Sequence, residues 1–155
     1  MLNSSTQAPG SSPLTVHISR IHPDAQLPAY QSREAAAFDL SSVATVTVAP
    51  GKVALIPTGL VIRVPLRMFL GIFARSSTPL KRGLMIANGV GVIDPDYRGP
   101  ADEIKIAVIN FTDEEVTIRP GDRIAQGIFL DAAQVQWAEG APAEESRGGF
   151  GSTGS

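Results

Sequence analysis

The sequence predicts an all-β protein, a sandwich or jelly roll of short strands with a single short helix. Three observations predict it. The apolar content is mainly Val, Ile, Leu and Ala in brief runs, and each run is bounded by Pro, Gly or a polar cluster. Fifteen glycines and 12 prolines punctuate the 155 residues, as a fold with many tight turns requires. At 43% hydrophobic residues, the chain can bury one real core but not two.

Residues 1–13 are rich in Ser, Gly and Pro and read as a flexible N-terminal arm. Strands follow over 15–18, 43–48, 53–56, 60–64 and 69–73, with 43–48 alternating apolar and small polar residues. The helix is placed at 77–82, with Ser or Thr as its cap, Pro79 early and Gly83 at its close. Further strands are expected over 104–110, 115–118, 124–130 and 135–137. Beyond Trp137 the chain turns to Ala, Glu and Gly, too polar to join the core. This reading divides the chain into the arm 1–13, a β domain 14–138 and a mobile Gly-rich C-terminal arm 139–155. There is no internal repeat. A small sandwich leaves strand edges open, and oligomerisation is one way to cover them.

Composition excludes several kinds of chemistry. No cysteine is present, so thiolate nucleophiles, disulfides and Cys-bound zinc are ruled out. The only imidazoles, His17 and His22, precede the first core-like segment. A net charge of −2 argues against nucleic acid as a partner. No run approaches the roughly 18 apolar residues of a membrane span, and no signal-peptide pattern opens the chain. A soluble, cytoplasmic protein without a membrane partner is expected.

Five segments carry chemistry. In Ala37-Phe38-Asp39-Leu40-Ser41-Ser42, Asp39 reads as a strand entry capping a turn. Ala74-Arg75-Ser76-Ser77-Thr78-Pro79 places a guanidinium, two hydroxyls and free N–H groups at a helix start, a combination suited to anions as well as to simple capping. Residues 88–99, Asn-Gly-Val-Gly-Val-Ile-Asp-Pro-Asp-Tyr-Arg-Gly, suggest a hairpin whose backbone can approach a flat ligand, followed by a turn bearing Asp94, Asp96 and Tyr97. Gly121-Asp122-Arg123-Ile124-Ala125-Gln126 reads as a turn entering a buried strand, with Asp122 and Arg123 paired on the surface. Arg147-Gly-Gly-Phe-Gly-Ser-Thr-Gly154 can wrap a polyphosphate through backbone N–H groups, although it lacks the Walker lysine.

Taken in this order, the five segments resemble the five motifs of the trimeric dUTPase family, from about residue 36 to 154. The resemblance implies a jelly-roll-like sandwich of the β-clip type. It implies a homotrimer with swapped C-terminal arms, each active site being built by three subunits. The implied reaction is hydrolysis of dUTP to dUMP and pyrophosphate. Asp94 matches the carboxylate that orients and deprotonates the attacking water, a role that requires an ionised Asp at neutral pH. Tyr97 then packs under the deoxyribose and excludes a 2′-hydroxyl. Asn88 and the backbone of Gly91, Val92 and Ile93 bond the uracil edge, so cytosine leaves donors and acceptors unpaired. Arg75, Ser76, Ser77 and Gln126 match the phosphate contacts. Phe150 stacks over uracil, while Arg147, Gly151, Ser152 and Thr153 close on the phosphates. The implied cofactor is Mg²⁺, held by phosphates and water with no direct protein ligand, and Asp39 lies one water further out.

Two departures from the family pattern stand out. Arg147 lies three residues before Phe150 where the family has five, and Glu145 occupies the usual Arg position. Either the shortened loop still brings Arg147 to the γ-phosphate or that clamp is absent. Residues 100–103 also lengthen the connection after the hairpin. The dCTP deaminase family shares this fold, but its catalytic Glu falls here on Ala107, three residues before Asn110. A catalytically weak nucleotide-binding or regulatory trimer is the other alternative.

Overall fold

The computed structural model describes residues 14–142. Twelve strands and one helix follow one another among them: β1 (Ile18–Arg20), β2 (Ala29–Tyr30), β3 (Phe38–Ser41), β4 (Val46–Val48), β5 (Val53–Pro57), β6 (Leu60–Ile62), β7 (Met68–Ala74), α1 (Ser77–Arg82), β8 (Leu84–Ile86), β9 (Gly91–Ile93), β10 (Lys105–Asn110), β11 (Val116–Ile118) and β12 (Arg123–Asp131). Every strand pair is antiparallel. The largest sheet has the order β2-β3-β12-β7-β9; smaller ones are β5-β10-β8, β1-β6 and β4-β11. This is the all-β sandwich that the sequence predicts.

One continuous core joins the sheets. The five-stranded sheet contributes Phe38, Leu40, Leu70, Ile72 and Ile124, and the smaller sheets contribute Ile56, Leu60, Leu84, Ile106, Val108 and Ile118. Along β10 burial alternates residue by residue, as a strand with one wet face must. Burying one such Leu or Ile is worth about 1.5–3 kcal/mol. Asn110, fully buried among them, is completely partnered: its amide donates to Val48 O (2.8 Å) and Glu114 O (2.7 Å), and its Oδ1 accepts from Thr112 N–H and Oγ1. It ties β10 to β4 and to the loop before β11 at no cost in unpaired polar groups.

Several sequence expectations are corrected. The first strand begins at Ile18 rather than residue 15, and the expected strand 43–48 pairs only from Val46 to Val48. The expected strand 135–137 is not one: β12 ends at Asp131, and Trp137 is 93% exposed. Its β-like composition finds no backbone partner among the described residues, so the ladder stops. Asp39 is not a turn cap but a central residue of β3. The helix falls where expected, closed by Gly83 at φ 63°, a left-handed conformation that favours glycine. Its N-cap, Ser76, makes no side-chain capping bond; Thr78 Oγ1 instead donates to Ile124 O at 2.8 Å and pins α1 to β12.

Candidate active site

The middle of the large sheet brings three separate segments together. Gln126 on β12 stands opposite Asp39 on β3 and Phe73 on β7, and Arg75 leaves the end of β7 beside them. Arg75 Nε donates to Asp39 Oδ1 at 2.7 Å, and Arg123 Nη1 donates to Asp39 Oδ2 at 3.0 Å. One carboxylate, only 11% exposed, thus holds two guanidiniums. Arg75 Nη1 also donates to Ser77 Oγ at 3.3 Å, and Gln126 Nε2 donates to Ala74 O at 3.0 Å.

Above this cluster opens a cleft of about 740 Å³ lined by Arg75, Ser76, Ser77, Lys81, Arg82, Gly121, Asp122 and Arg123. Four of these side chains are cationic and one is anionic, on a chain of net charge −2. Asp122 is fully engaged. Arg82 grips it with two parallel bonds (2.8 and 3.0 Å), and Arg119 N–H adds a third at 2.8 Å. The Arg82 bonds, chiefly, hold its pKa below the ordinary carboxylate value, against the opposing pull of burial. Asp122 and Arg123 are therefore not paired with each other, as the sequence suggests: Asp122 meets Arg82 of α1, and Arg123 turns to Asp39 on the adjacent strand β3. With the Asp39 and Asp122 charges already engaged, what remains is a surplus of positive charge and two hydroxyls, a combination suited to a polyanion.

The hairpin builds a second region. Gly89 (φ 74°) turns the chain, and β9 then pairs with β7, Gly91 opposite Ile72 and Ile93 opposite Leu70. A Cβ on Gly91 would stand 3.0 Å from Ile72 Cβ, a tight approach that a side chain would relieve only by pushing the two strands apart by a few tenths of an ångström. Val92 is 56% exposed and Asn88 is exposed as well. Beyond β9, Tyr97 N–H donates to Asp94 O at 3.2 Å, and Tyr97 OH donates to Glu103 O at 3.0 Å. The Glu103 carbonyl thus anchors the Tyr97 hydroxyl. Asp94 is exposed and lines a separate cleft of about 480 Å³ with Leu66, Arg67, Pro95, Asp96, Arg98 and Gln134.

Arg75, Ser76, Ser77, Gln126 and Asp39 are gathered around the sheet's three central strands, whereas Asn88, Gly91, Val92, Ile93, Asp94 and Tyr97 lie along its β9 edge. Within one chain Asp94 and Arg75 do not line the same cleft. Arg147, Phe150, Gly151, Ser152 and Thr153 lie outside the described residues. The cleft also contains three cations that the sequence does not assign to the site: Lys81 and Arg82, and Arg123, which it pairs with Asp122 on the surface. Lys81 and Arg82 occupy the last turn of α1, where cations are expected on dipole grounds alone, so the sequence offers no separate signal for them. No group of three or more His, Asp or Glu side chains able to hold a metal ion occurs among the described residues.

Fold and site together define a class: a jelly-roll-like all-β protein with a cationic cleft beside its central strands and a glycine hairpin along one sheet edge. The chain belongs to the dUTPase family, whose model, described as dUTPase, matches residues 23–154. It is similar to the deoxyuridine 5'-triphosphate nucleotidohydrolase of Lactococcus lactis, 41% identical over 131 residues (83% of this chain and 87% of that protein). It is also similar to that of Solibacter usitatus, 40% identical over 145 residues (91% and 97%). Among solved structures, the dUTPase of Streptococcus mutans superposes with a TM-score of 0.72 at 31% identity, covering 79% of this chain and 98% of that one. The G164S mutant of the Staphylococcus bacteriophage 80alpha dUTPase, solved with dUpNHpp, shares the fold, with a TM-score of 0.79 at 22% identity over 90% and 98% of the two chains.

Proposed function

We propose that this chain hydrolyses dUTP to dUMP and pyrophosphate. The observation that carries the reading is the Arg75–Asp39–Arg123 cluster opening on a serine-bearing cationic cleft, in a chain that also presents Asp94 on an edge hairpin. In this reading Arg75, Ser76, Ser77 and Gln126 receive the phosphate chain, and Asp39, which also holds Arg123, keeps Arg75 in place. Asn88 and the exposed backbone of Gly91, Val92 and Ile93 bond the uracil edge. Tyr97, braced by Glu103 O, presents its ring to the deoxyribose. Asp94 accepts a proton from water as the water oxygen bonds to the α-phosphorus. The bond from that phosphorus to the bridging oxygen breaks, and pyrophosphate leaves. From the C-terminal arm, Phe150 covers the base while Arg147, Gly151, Ser152 and Thr153 close on the phosphates.

The residues present fit a Mg²⁺ ion that arrives on the phosphate oxygens. Asp39, whose two oxygens each accept from a guanidinium, would face it only through water. When bound, Mg²⁺ supplies charge neutralisation for the departing pyrophosphate.

The working form in this reading is a homotrimer whose sites are shared between subunits. Two observations support it: Asp94 and Arg75 line different clefts of one chain, and the sheet β5-β10-β8 turns Val53 (59% exposed) and Leu55 (58%) of β5 and Met85 (48%) of β8 outward on its two flanking strands. An apolar sheet face of this kind marks an interaction surface. The reading includes a cytoplasmic place of action and no nucleic-acid or membrane partner. Ala107 on β10 has no proton to move, which sets cytosine deamination aside.

The test is pyrophosphate release from dUTP, dCTP, dTTP and UTP, with and without Mg²⁺, for the wild type and Asp94→Asn. Mg²⁺-dependent turnover of dUTP alone, lost in Asp94→Asn, supports the reading. Binding of dUTP without cleavage overturns it in favour of a nucleotide-binding relative, with the shifted Arg147 as first suspect.

A further inference from the structure

The turn between β11 and β12 and the helix α1 form facing walls of the cationic cleft, and a single ion pair bridges them. Arg82, in the last turn of α1, meets Asp122 with Nη2 to Oδ1 at 2.8 Å and Nη1 to Oδ2 at 3.0 Å. Asp122 is itself fastened on three further sides. Its Oδ2 accepts from Arg119 N–H (2.8 Å), its N–H donates to Arg119 O (3.0 Å), and its carbonyl accepts from Ser42 N–H (2.9 Å) at the end of β3. The next residue along the chain is Arg123, which reaches Asp39. At the opposite end of α1 from Arg82, Ser77 accepts from Arg75. The bridge therefore spans the two segments that carry the cleft's cations and hydroxyls.

We propose that Arg82 and Asp122 are positioning residues for the phosphate chain: their two-bond fork fixes α1 against the β11–β12 turn at the separation a pyrophosphate group requires. This rests on the reading of the cleft as the phosphate site of a dUTPase. The fork carries no net charge, so it contributes geometry rather than field. Two parallel bonds fix plane as well as distance, which a lysine cannot do. Both side chains are about two-thirds buried, 31% and 27% exposed, so the pair is sheltered from the screening that weakens surface ion pairs.

The sign of one substitution separates geometry from electrostatics. Asp122→Asn removes a negative charge from the wall of an anion site, and electrostatics alone would then tighten polyphosphate binding. A positioning role requires the opposite. The experiment uses the full-length protein as wild type, Asp122→Asn and Arg82→Lys. Inorganic pyrophosphate binding is measured by calorimetry at fixed free Mg²⁺, dUTP turnover is resolved into kcat and KM, and melting temperature is followed alongside.

Both variants are expected to weaken pyrophosphate binding and raise the dUTP KM by about tenfold, while kcat stays within about threefold. The double variant should be little worse than either single one, because the two residues act as one unit. Unchanged or tighter pyrophosphate binding in either folded variant overturns the proposal, whatever happens to the melting temperature. Should Asp122→Asn fail to fold, the charge-preserving Arg82→Lys decides alone. Pyrophosphate binding is read without any turnover, so a wild type that binds pyrophosphate but leaves dUTP intact overturns the proposed reaction and not the positioning role.

Discussion

Gln126 stands opposite Asp39 across β12 and β3, and the two residues fix Arg75 from different sides. Gln126 holds the carbonyl of Ala74, immediately before Arg75, at 3.0 Å, while Asp39 accepts from the Arg75 guanidinium at 2.7 Å. The direction of a key cation is thus set by its own backbone and by a neighbouring strand together. Asp39→Asn leaves two guanidiniums facing a neutral amide that cannot accept from both with full strength. It should cost about 1–3 kcal/mol of stability and raise the dUTP KM, as read by urea denaturation and steady-state kinetics.

Asp94 is exposed and lines the smaller cleft at the hairpin's edge. Asp94→Asn should therefore leave the melting temperature unchanged while kcat falls by about 10²–10⁴, the range expected for removing a general base. A turnover within tenfold of the wild type would exclude Asp94 as the base.

Acid should weaken the molecule partly through Asp122. Its folded pKa lies below the ordinary carboxylate value because of Arg82 and Arg119, so the unfolded chain takes up the proton first as pH falls. The stabilisation is complete above the unfolded value of about 3.9 and is lost as pH falls through the lower folded one. Asp122→Asn should accordingly lower stability at pH 7, with the gap to wild type closing only in strong acid. Denaturation midpoints from pH 7 to pH 2 check this.

Gly83 closes α1 at φ 63°, and a Cβ there would collide with the Thr112 side chain. Gly83→Ala therefore adds a steric clash to left-handed strain and should destabilise by about 1–3 kcal/mol, measured by thermal unfolding. Gly51, also left-handed at φ 67°, has nothing within 4 Å of an added Cβ, so Gly51→Ala should cost less, about 1 kcal/mol.

Chelation of divalent metal should abolish dUTP turnover without unfolding the protein, because the described chain presents no ligand cluster whose loss would loosen the fold. Coincident loss of activity and of the folded signal on adding EDTA would instead point to a structural metal.

Much of this protein was settled by sequence alone. Short apolar runs between Gly and Pro sufficed for the all-β fold and for α1, because turn chemistry and side-chain period are local properties. The ordered strings around Arg75, Asp94 and Gln126 sufficed for the family. Tertiary structure decided the partners. The strand over 135–137 is absent because a strand needs a neighbouring backbone, which composition cannot supply. Asp39 became the holder of two arginines, and Asp122 the partner of Arg82 rather than of adjacent Arg123, because register and helix placement bring together residues 36 to 84 positions apart. A charge's identity is written in the sequence, but which opposite charge it meets is fixed only when the chain has closed on itself.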